Sequence, residues 1–377
     1  MRFFATTFSG LEDIAAAELS SLLGGEAEAD VGKVFFTASL EECLKVNYAA
    51  QTVNRVFLLL LREHAETLDE IERLAASVDF GEFIDREQSF AVRAERVGLH
   101  VFTSLDIAAA VGKAVIDSYR ASTGVRLRVD LNNPDIEVYG ILRNTELLLG
   151  VNTTGESLHR RFYRRGFHRA ALSPTVANTL VRLSGWRRHM VLLDPFTGSG
   201  TIPLETALYG LGISPGARRE NLRFEKIPVF KSIDSARIRE ELLKREDPGT
   251  VEAIGIDVSP KSLNLALDSL ETFGRETGVR FVQGDVFRLV EYVDREVDKV
   301  VCNPPFGVRL RLREPEKFYT EAFTAIAQAC PHASLTVIVN KPVTVLKALE
   351  KSGYIPLSVR KVLLGDLSSY IFHSVHM

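Results

Sequence analysis

Apolar positions change period several times along the first 155 residues. Residues 2–7 read as a strand; Leu11, Ile14, Ala15, Leu19 and Leu22 then recur at helical spacing until Gly24-Gly25 stops the helix. Residues 34–36 read as a short strand, 40–48 as a helix and 53–61 as a buried strand. This alternation predicts a small α+β unit. A second begins with a strand at 89–93 and a helix from an N-cap at Ser104 to about Tyr119. Residues 125–131 alternate as a half-buried strand does, and 136–142 with 147–151 form a hairpin turning near Asn144. The second unit ends near Gly155.

The register changes after Leu172. Strands are expected at 191–193, 251–256, 279–282, 297–302 and 335–339, with helices at 202–209, 262–273 and 316–329. Such alternation means a doubly wound parallel sheet. Two further strands, 354–364 and 370–375, close the chain around Gly365. Neither an internal repeat nor a low-complexity tract interrupts this order.

The length of 377 residues suits two or three domains. The longest clean apolar run, 56–61, is far short of a membrane span, and Glu12 and Asp13 break any signal-peptide core. Three scattered cysteines, Cys43, Cys302 and Cys330, fit a reducing cytoplasm and offer no metal-ligand spacing. A net charge of −3 does not announce a nucleic-acid binder, but its distribution is uneven. His159-Arg160-Arg161-Phe162-Tyr163-Arg164-Arg165-Gly166-Phe167-His168-Arg169 gathers positive charge and rings into one stretch. It reads either as a solvated linker or as a strap in which Arg160, Arg161, Arg164, Arg165 and Arg169 contact phosphates and the rings stack on bases.

The sharpest motif is Asp194-Pro195-Phe196-Thr197-Gly198-Ser199-Gly200-Thr201, which follows a buried strand and opens a helix. Its glycines let the backbone approach a bound nucleoside. A dinucleotide fingerprint would need a third glycine where Pro203 stands. Asp194 would also place a carboxylate against a pyrophosphate. A cationic, phosphate-free ligand fits better, and S-adenosylmethionine is one. Asp257, followed by Val258, ends the next strand and can accept ribose hydroxyls; Asp285 ends a third, can accept from an adenine amine, and is followed by Val286, which can pack on the ring.

The fourth strand delivers Asn303-Pro304-Pro305-Phe306-Gly307. An exocyclic amine has its lone pair delocalised into the base. The Asn303 side-chain oxygen and a carbonyl of the Pro-Pro turn can accept its two N–H bonds and direct the lone pair at a methyl sulfonium. The prolines stiffen the turn, and Phe306 offers a face for a flipped base. Cys302 suggests a nucleophile, but its place on the strand favours burial in the core.

Together these residues resemble the THUMP-containing branch of the Rossmann-fold methyltransferases, over nearly the whole chain. The motif at 194–206 is similar to the family's cofactor loop, and Asn303 to Gly307 to its amine site. Asn221-Leu222-Arg223-Phe224-Glu225-Lys226 resembles a segment carried inside the catalytic domain. Ser173-Pro174-Thr175 resembles the lead-in, which implies a part in cofactor binding; Asn132-Asn133-Pro134-Asp135-Ile136 and Tyr163-Arg164-Arg165-Gly166 resemble the end of a THUMP module.

The resemblance implies a multidomain α/β and α+β chain. It would hold a ferredoxin-like unit at 1–60, a THUMP RNA-binding module at 61–155, a basic linker at 156–172 and a methyltransferase domain with a seven-stranded sheet at 173–377. It further implies S-adenosylmethionine as cofactor, no metal, a cytoplasmic location, no required oligomer, and N2 methylation of guanosine in the tRNA acceptor stem at the sixth nucleotide. A related branch methylates guanine N2 in 23S rRNA; DNA adenine-N6 methyltransferases carry a similar Asn/Asp-Pro-Pro-aromatic site but lack a THUMP module. A catalytically idle RNA-binding maturation factor is the reading from another class.

Overall fold

In residues 2–6 the side chains Phe3, Phe4 and Ala5 are all buried, because the strand they form is covered on both faces. The computed structural model describes residues 1–165, 172–305 and 314–377. Its N-terminal part runs β1 (Arg2–Thr6), α1 (Glu12–Leu23), β2 (Ala27–Asp30), β3 (Lys33–Thr37), α2 (Leu40–Ala49), β4 (Arg55–His64), α3 (Leu68–Ala76), β5 (Ser89–Val97), α4 (Ser104–Thr123), β6 (Arg128–Val129), β7 (Ile136–Arg143) and β8 (Glu146–Asn152).

The two α+β units expected here share one eight-stranded sheet, ordered β2-β3-β1-β4-β8-β7-β5-β6. The join is the antiparallel pairing of β4 with β8, from Phe57↔Asn152 to His64↔Glu146. A pairing so distant in sequence leaves no local signal. Asn144 makes the expected hairpin turn between β7 and β8, with φ of 51°. Ser104 does not cap α4: Thr103 does, in a capping box with Asp106. The strand expected over 125–131 shrinks to Arg128–Val129, both exposed, because it only edges the sheet. β2 and α3 were not foreseen.

The second part runs α5 (Pro174–Leu183), β9 (Val191–Asp194), α6 (Thr201–Gly210), α7 (Ser235–Lys244), β10 (Glu252–Asp257), α8 (Pro260–Glu271), β11 (Val279–Gln283), β12 (Lys299–Cys302), α9 (Pro315–Ala329), β13 (Ser334–Val339), α10 (Pro342–Lys351), β14 (Tyr354–Leu364) and β15 (Leu367–His376). The seven strands lie in the order β11-β10-β9-β12-β13-β15-β14, and β15 alone runs against the other six. The order reverses between β9 and β12, so their carboxyl ends flank the crevice where such sheets bind ligands.

The segment between α6 and β10 returns to the N-terminal part. Ala217, Leu222, Phe224, Ile227, Phe230 and Ile238 join the core beneath the eight-stranded sheet. Phe224 sits edge-on to Tyr48 at 5.5 Å, and its N–H donates to Thr153 O at 2.7 Å. One core is thus built from the N-terminal part and a segment that lies inside the second part of the chain.

A second tie is polar. Arg161 and Glu205 form an ion pair with both side chains fully buried. Glu205 also accepts from Tyr163 Oη at 2.6 Å and Asn178 Nδ2 at 3.0 Å. The network continues through Gln51 and Arg182 to Glu18, whose carboxylate takes the Thr52 N–H at 2.8 Å. It links α1, the α2–β4 loop, α5 and α6, and α6 carries the glycine loop at its start.

Candidate active site

Four parallel strand ends, β11, β10, β9 and β12, stand side by side. The loop after β9 crosses to β10: Thr197 N–H donates to Ile256 O at 3.0 Å and Gly198 N–H to Asp257 Oδ2 at 2.8 Å. Its glycines serve different ends. Gly200, at φ of 80°, lies where a Cβ would come within 2.5 Å of the Phe281 ring, so it permits close packing of α6 on the sheet. Gly198, at φ of 52°, has open space where a Cβ would project, as a cradle for a ligand needs.

Asp194 is buried, with the Phe196 N–H at 3.1 Å on its carboxylate. Burial, and next the charge of Asp257, push its pKa up to about 8. The Thr197 hydroxyl lies close enough to favour the charged form a little, but it is buried without a hydrogen-bond partner of full geometry among the described residues. A carboxylate this poorly compensated rejects a phosphate and accepts a cation. Asp257 receives one N–H on each oxygen, from Gly198 and from Ser259, and keeps lone pairs for hydroxyl donors. Asp285 accepts the Phe287 N–H at 3.1 Å and is half-exposed. Open glycine, orphaned hydroxyl and three acids fit S-adenosylmethionine.

Other residues expected at this site differ in how they are placed. Phe196 and Ser199 are half-exposed, Thr201 is buried at the start of α6, and Val286 is turned largely into the core. Val258 points to solvent. Pro174 and Thr175 are buried, and the Thr175 hydroxyl is engaged by Asn54 at 3.1 Å; Ser173 is half-exposed.

At the end of β12, the Asn303 side-chain oxygen is shut from solvent and has no hydrogen-bond partner among the described residues. Pro304 and Pro305 follow. Tyr319, itself buried on α9, donates its hydroxyl to Pro305 O at 2.8 Å and so anchors the turn. Burial raises the Tyr319 pKa to about 12 and keeps that proton in place. Only the tertiary fold identifies Tyr319, which sequence reasoning missed. Phe306 lies outside the described residues. Cys302 is fully buried, and burial, then Asp194, hold its thiol protonated. It is a core residue.

The basic strap needs correction. Arg161 is internal, held by Glu205 and the carbonyls of Leu158 and Gln51, and cannot reach a phosphate. Nor can the ring of Tyr163 stack on a base, since it lies buried against Phe273 at 5.7 Å; Phe162 meets Phe273 at 5.3 Å. Alternate residues of the stretch face inward because the chain runs along the domain junction. Arg160 and Arg165 are exposed, while Arg164 is half-buried and donates to Leu172 O. Arg169 lies outside the described residues. Arg55 and Arg219, distant in sequence, join this positive cluster: burial, then Arg164, Arg160 and Arg55, bring the His159 pKa down to about 4, and burial, then the neighbouring Arg161, Arg160 and Arg55, lower that of Arg219.

Among the described residues no cluster of acids, histidines or cysteines is placed to hold a metal, and no helix is long and apolar enough to cross a membrane.

Three families match consecutive parts of the chain: the RlmL ferredoxin-like domain over residues 2–57, the THUMP domain over 65–152, and the RMKL-like methyltransferase domain over 161–369. The chain is 35% identical to the tRNA (guanine(6)-N2)-methyltransferase of Methanocaldococcus jannaschii, over 99% of each chain. It is 29% identical to the ribosomal RNA large subunit methyltransferase K/L of Hydrogenovibrio crunogenus, over 84% of this chain and 44% of that one. Among solved structures, TrmN from Thermus thermophilus superposes with a TM-score of 0.73 at 28% identity, covering 100% of this chain and 99% of that one. With its acids and glycine loop at the sheet's switch point and its Asn-Pro-Pro turn beside them, the chain belongs to the THUMP-containing, RMKL-like methyltransferases.

Proposed function

We propose that this enzyme moves a methyl group from S-adenosylmethionine to the exocyclic N2 of a guanosine in tRNA, the sixth nucleotide, within the acceptor stem. The observation that carries the reading is the Asn303 oxygen: an amide acceptor beside the cofactor crevice, shut from solvent and without a partner among the described residues. Such an atom is unfavourable unless a ligand completes it. An N–H of a flipped base does so.

S-adenosylmethionine supplies a methyl group on a sulfonium, already electrophilic. Asp257 takes ribose hydroxyls, Asp285 and Val286 receive the adenine, and Asp194 balances the positive methionine moiety. Asn303 accepts one N–H of the target amine and a carbonyl of the Pro-Pro turn the other, which turns the nitrogen lone pair toward the methyl group. Tyr319 keeps the turn in place, and Phe306 stacks on the extruded base. Arg160, Arg164, Arg165 and Arg169, with Arg55 and Arg219, track the RNA backbone alongside the THUMP module. The choice of guanine N2 in tRNA follows the relative from M. jannaschii, and a cytoplasmic site of action follows from such a substrate. Similarity to the K/L enzyme supports 23S rRNA as a second reading.

Incubation with labelled cofactor and either tRNA or ribosomal RNA, then digestion to nucleosides and mass analysis, tests this. N2-methylguanosine from tRNA is expected, and Asn303→Ala should abolish it while calorimetry shows cofactor still binding. Label recovered as N6-methyladenosine, or only from ribosomal RNA, refutes the assignment.

A further inference from the structure

We propose that Asn340 is a second base-reading amide, which accepts the ring N1–H of the target guanine beside Asn303; this rests on the guanine-N2 reading above. β12 and β13 are parallel neighbours with Cys302 opposite Val337. Continuing that register carries Asn340, just past the end of β13, alongside the Pro-Pro turn. Ligands bind at such strand ends. The Asn340 side-chain oxygen is shut from solvent and, like that of Asn303, has no hydrogen-bond partner among the described residues.

A local structural role does not account for it. The residue at the N-cap of α10 is Lys341, and no side chain caps that helix. Of the other buried side-chain oxygens without partners among the described residues, Thr197 belongs to the cofactor loop, while those of Tyr354, Ser369 and Ser374 are hydroxyls of the β14–β15 hairpin. The two asparagines therefore stand apart as a pair of acceptors on adjacent strand ends.

A second acceptor next to the amine acceptor discriminates among bases. In guanine the ring nitrogen beside the amine on the Watson–Crick edge carries a hydrogen. In adenine and cytosine the corresponding nitrogen carries a lone pair. Asn340 Oδ1 therefore pairs with guanine and faces a lone pair in the other two. A site built to hydrogen-bond a donor rejects the base that lacks it, because its own group is left unpaired.

The test uses the full-length enzyme and tRNA transcripts carrying guanine or 2-aminopurine at the target. The analogue keeps the amine and lacks the N1–H. Wild type should prefer guanine by at least about tenfold in kcat/KM. Asn340→Ala should lose about ten- to a hundredfold on guanine and bring the preference to within about threefold. Asn340→Asp, which keeps an acceptor, should restore a preference of about tenfold. Calorimetric cofactor affinity within about twofold of wild type reports that both variants are folded. Equal use of the two bases by wild type overturns the proposal without recourse to any variant, as does an Asn340→Ala enzyme that keeps the full preference. If N2-methylguanosine forms and that ratio does not move, Asn340 alone is misassigned. If wild type yields N6-methyladenosine instead, the guanine reading falls with it.

Discussion

Replacing Glu205 by alanine probes how the N-terminal sheet is fixed to the catalytic one. The carboxylate accepts from Arg161 Nε at 2.9 Å and Nη2 at 3.0 Å, from Tyr163 Oη at 2.6 Å and from Asn178 Nδ2 at 3.0 Å. Truncation removes the acceptor of Tyr163 Oη, while Asn178 Nδ2 keeps Gln51 Oε1 at 3.2 Å. Arg161 keeps the carbonyls of Leu158 at 3.0 Å and Gln51 at 2.5 Å, so it retains hydrogen bonds but loses its counter-charge. An uncompensated buried charge costs about 3–5 kcal/mol. Against a domain stability of about 5–15 kcal/mol, that is a large fraction. Trp186, the single tryptophan, is buried in the catalytic core and reports that part alone, while far-UV circular dichroism reports both. Urea curves from the two probes should coincide in wild type. In Glu205→Ala they should separate, with a total loss of about 3–5 kcal/mol. The double substitution Arg161→Met with Glu205→Leu should recover most of it, since an apolar pair removes the desolvation penalty. A loss below about 1 kcal/mol, the worth of a surface ion pair, refutes the argument.

Asp194 should make the ligand-free protein less stable as pH rises. Below its ordinary value of 3.8 the acid is neutral folded and unfolded; toward about 8 the unfolded chain ionises and the folded chain does not. Asp194→Asn should therefore match wild type near pH 4 and exceed it by more than about 1.4 kcal/mol at pH 8, with weaker cofactor binding; an equal difference at both pH values in urea titrations counts against this. Tyr319→Phe removes the donor to Pro305 O, so kcat should fall several-fold with the cofactor KM unchanged, and an unaltered kcat would show that the turn holds itself. Substituting Glu at Arg164 and Arg165 should weaken RNA binding and flatten its salt dependence without touching cofactor affinity; unchanged binding across a salt series would reduce the stretch to a linker.

What was legible in the sequence is what is local. The buried strand before Asp194, the glycine turn and the Asn-Pro-Pro segment each carry their structural meaning within a few residues. The parallel alternation after Leu172 needed only period and length. Nothing local says that β4 pairs with β8, or that Phe224 and Ile238 fill a core begun two hundred residues earlier. Arg161 shows the same limit in reverse. Its run of basic neighbours reads as a phosphate-binding surface, and only the approach of Glu205 from α6 turns it inward. Tyr319 and Asn340 gain significance solely from which strand end they face.

The shared core has a consequence for synthesis on the ribosome. The eight-stranded sheet is complete in sequence at Asn152, but Phe224, Phe230 and Ile238 belong to the core beneath it. As the chain emerges, the sheet has to wait with part of its apolar underside uncovered until that later segment has left the exit tunnel. A nascent chain arrested before residue 216 should therefore be protease-sensitive and bound by holding chaperones, and one arrested well past Ile238 should not. The same order means that cutting the gene after the THUMP module would release a half with an open underside rather than a free-standing RNA-binding domain.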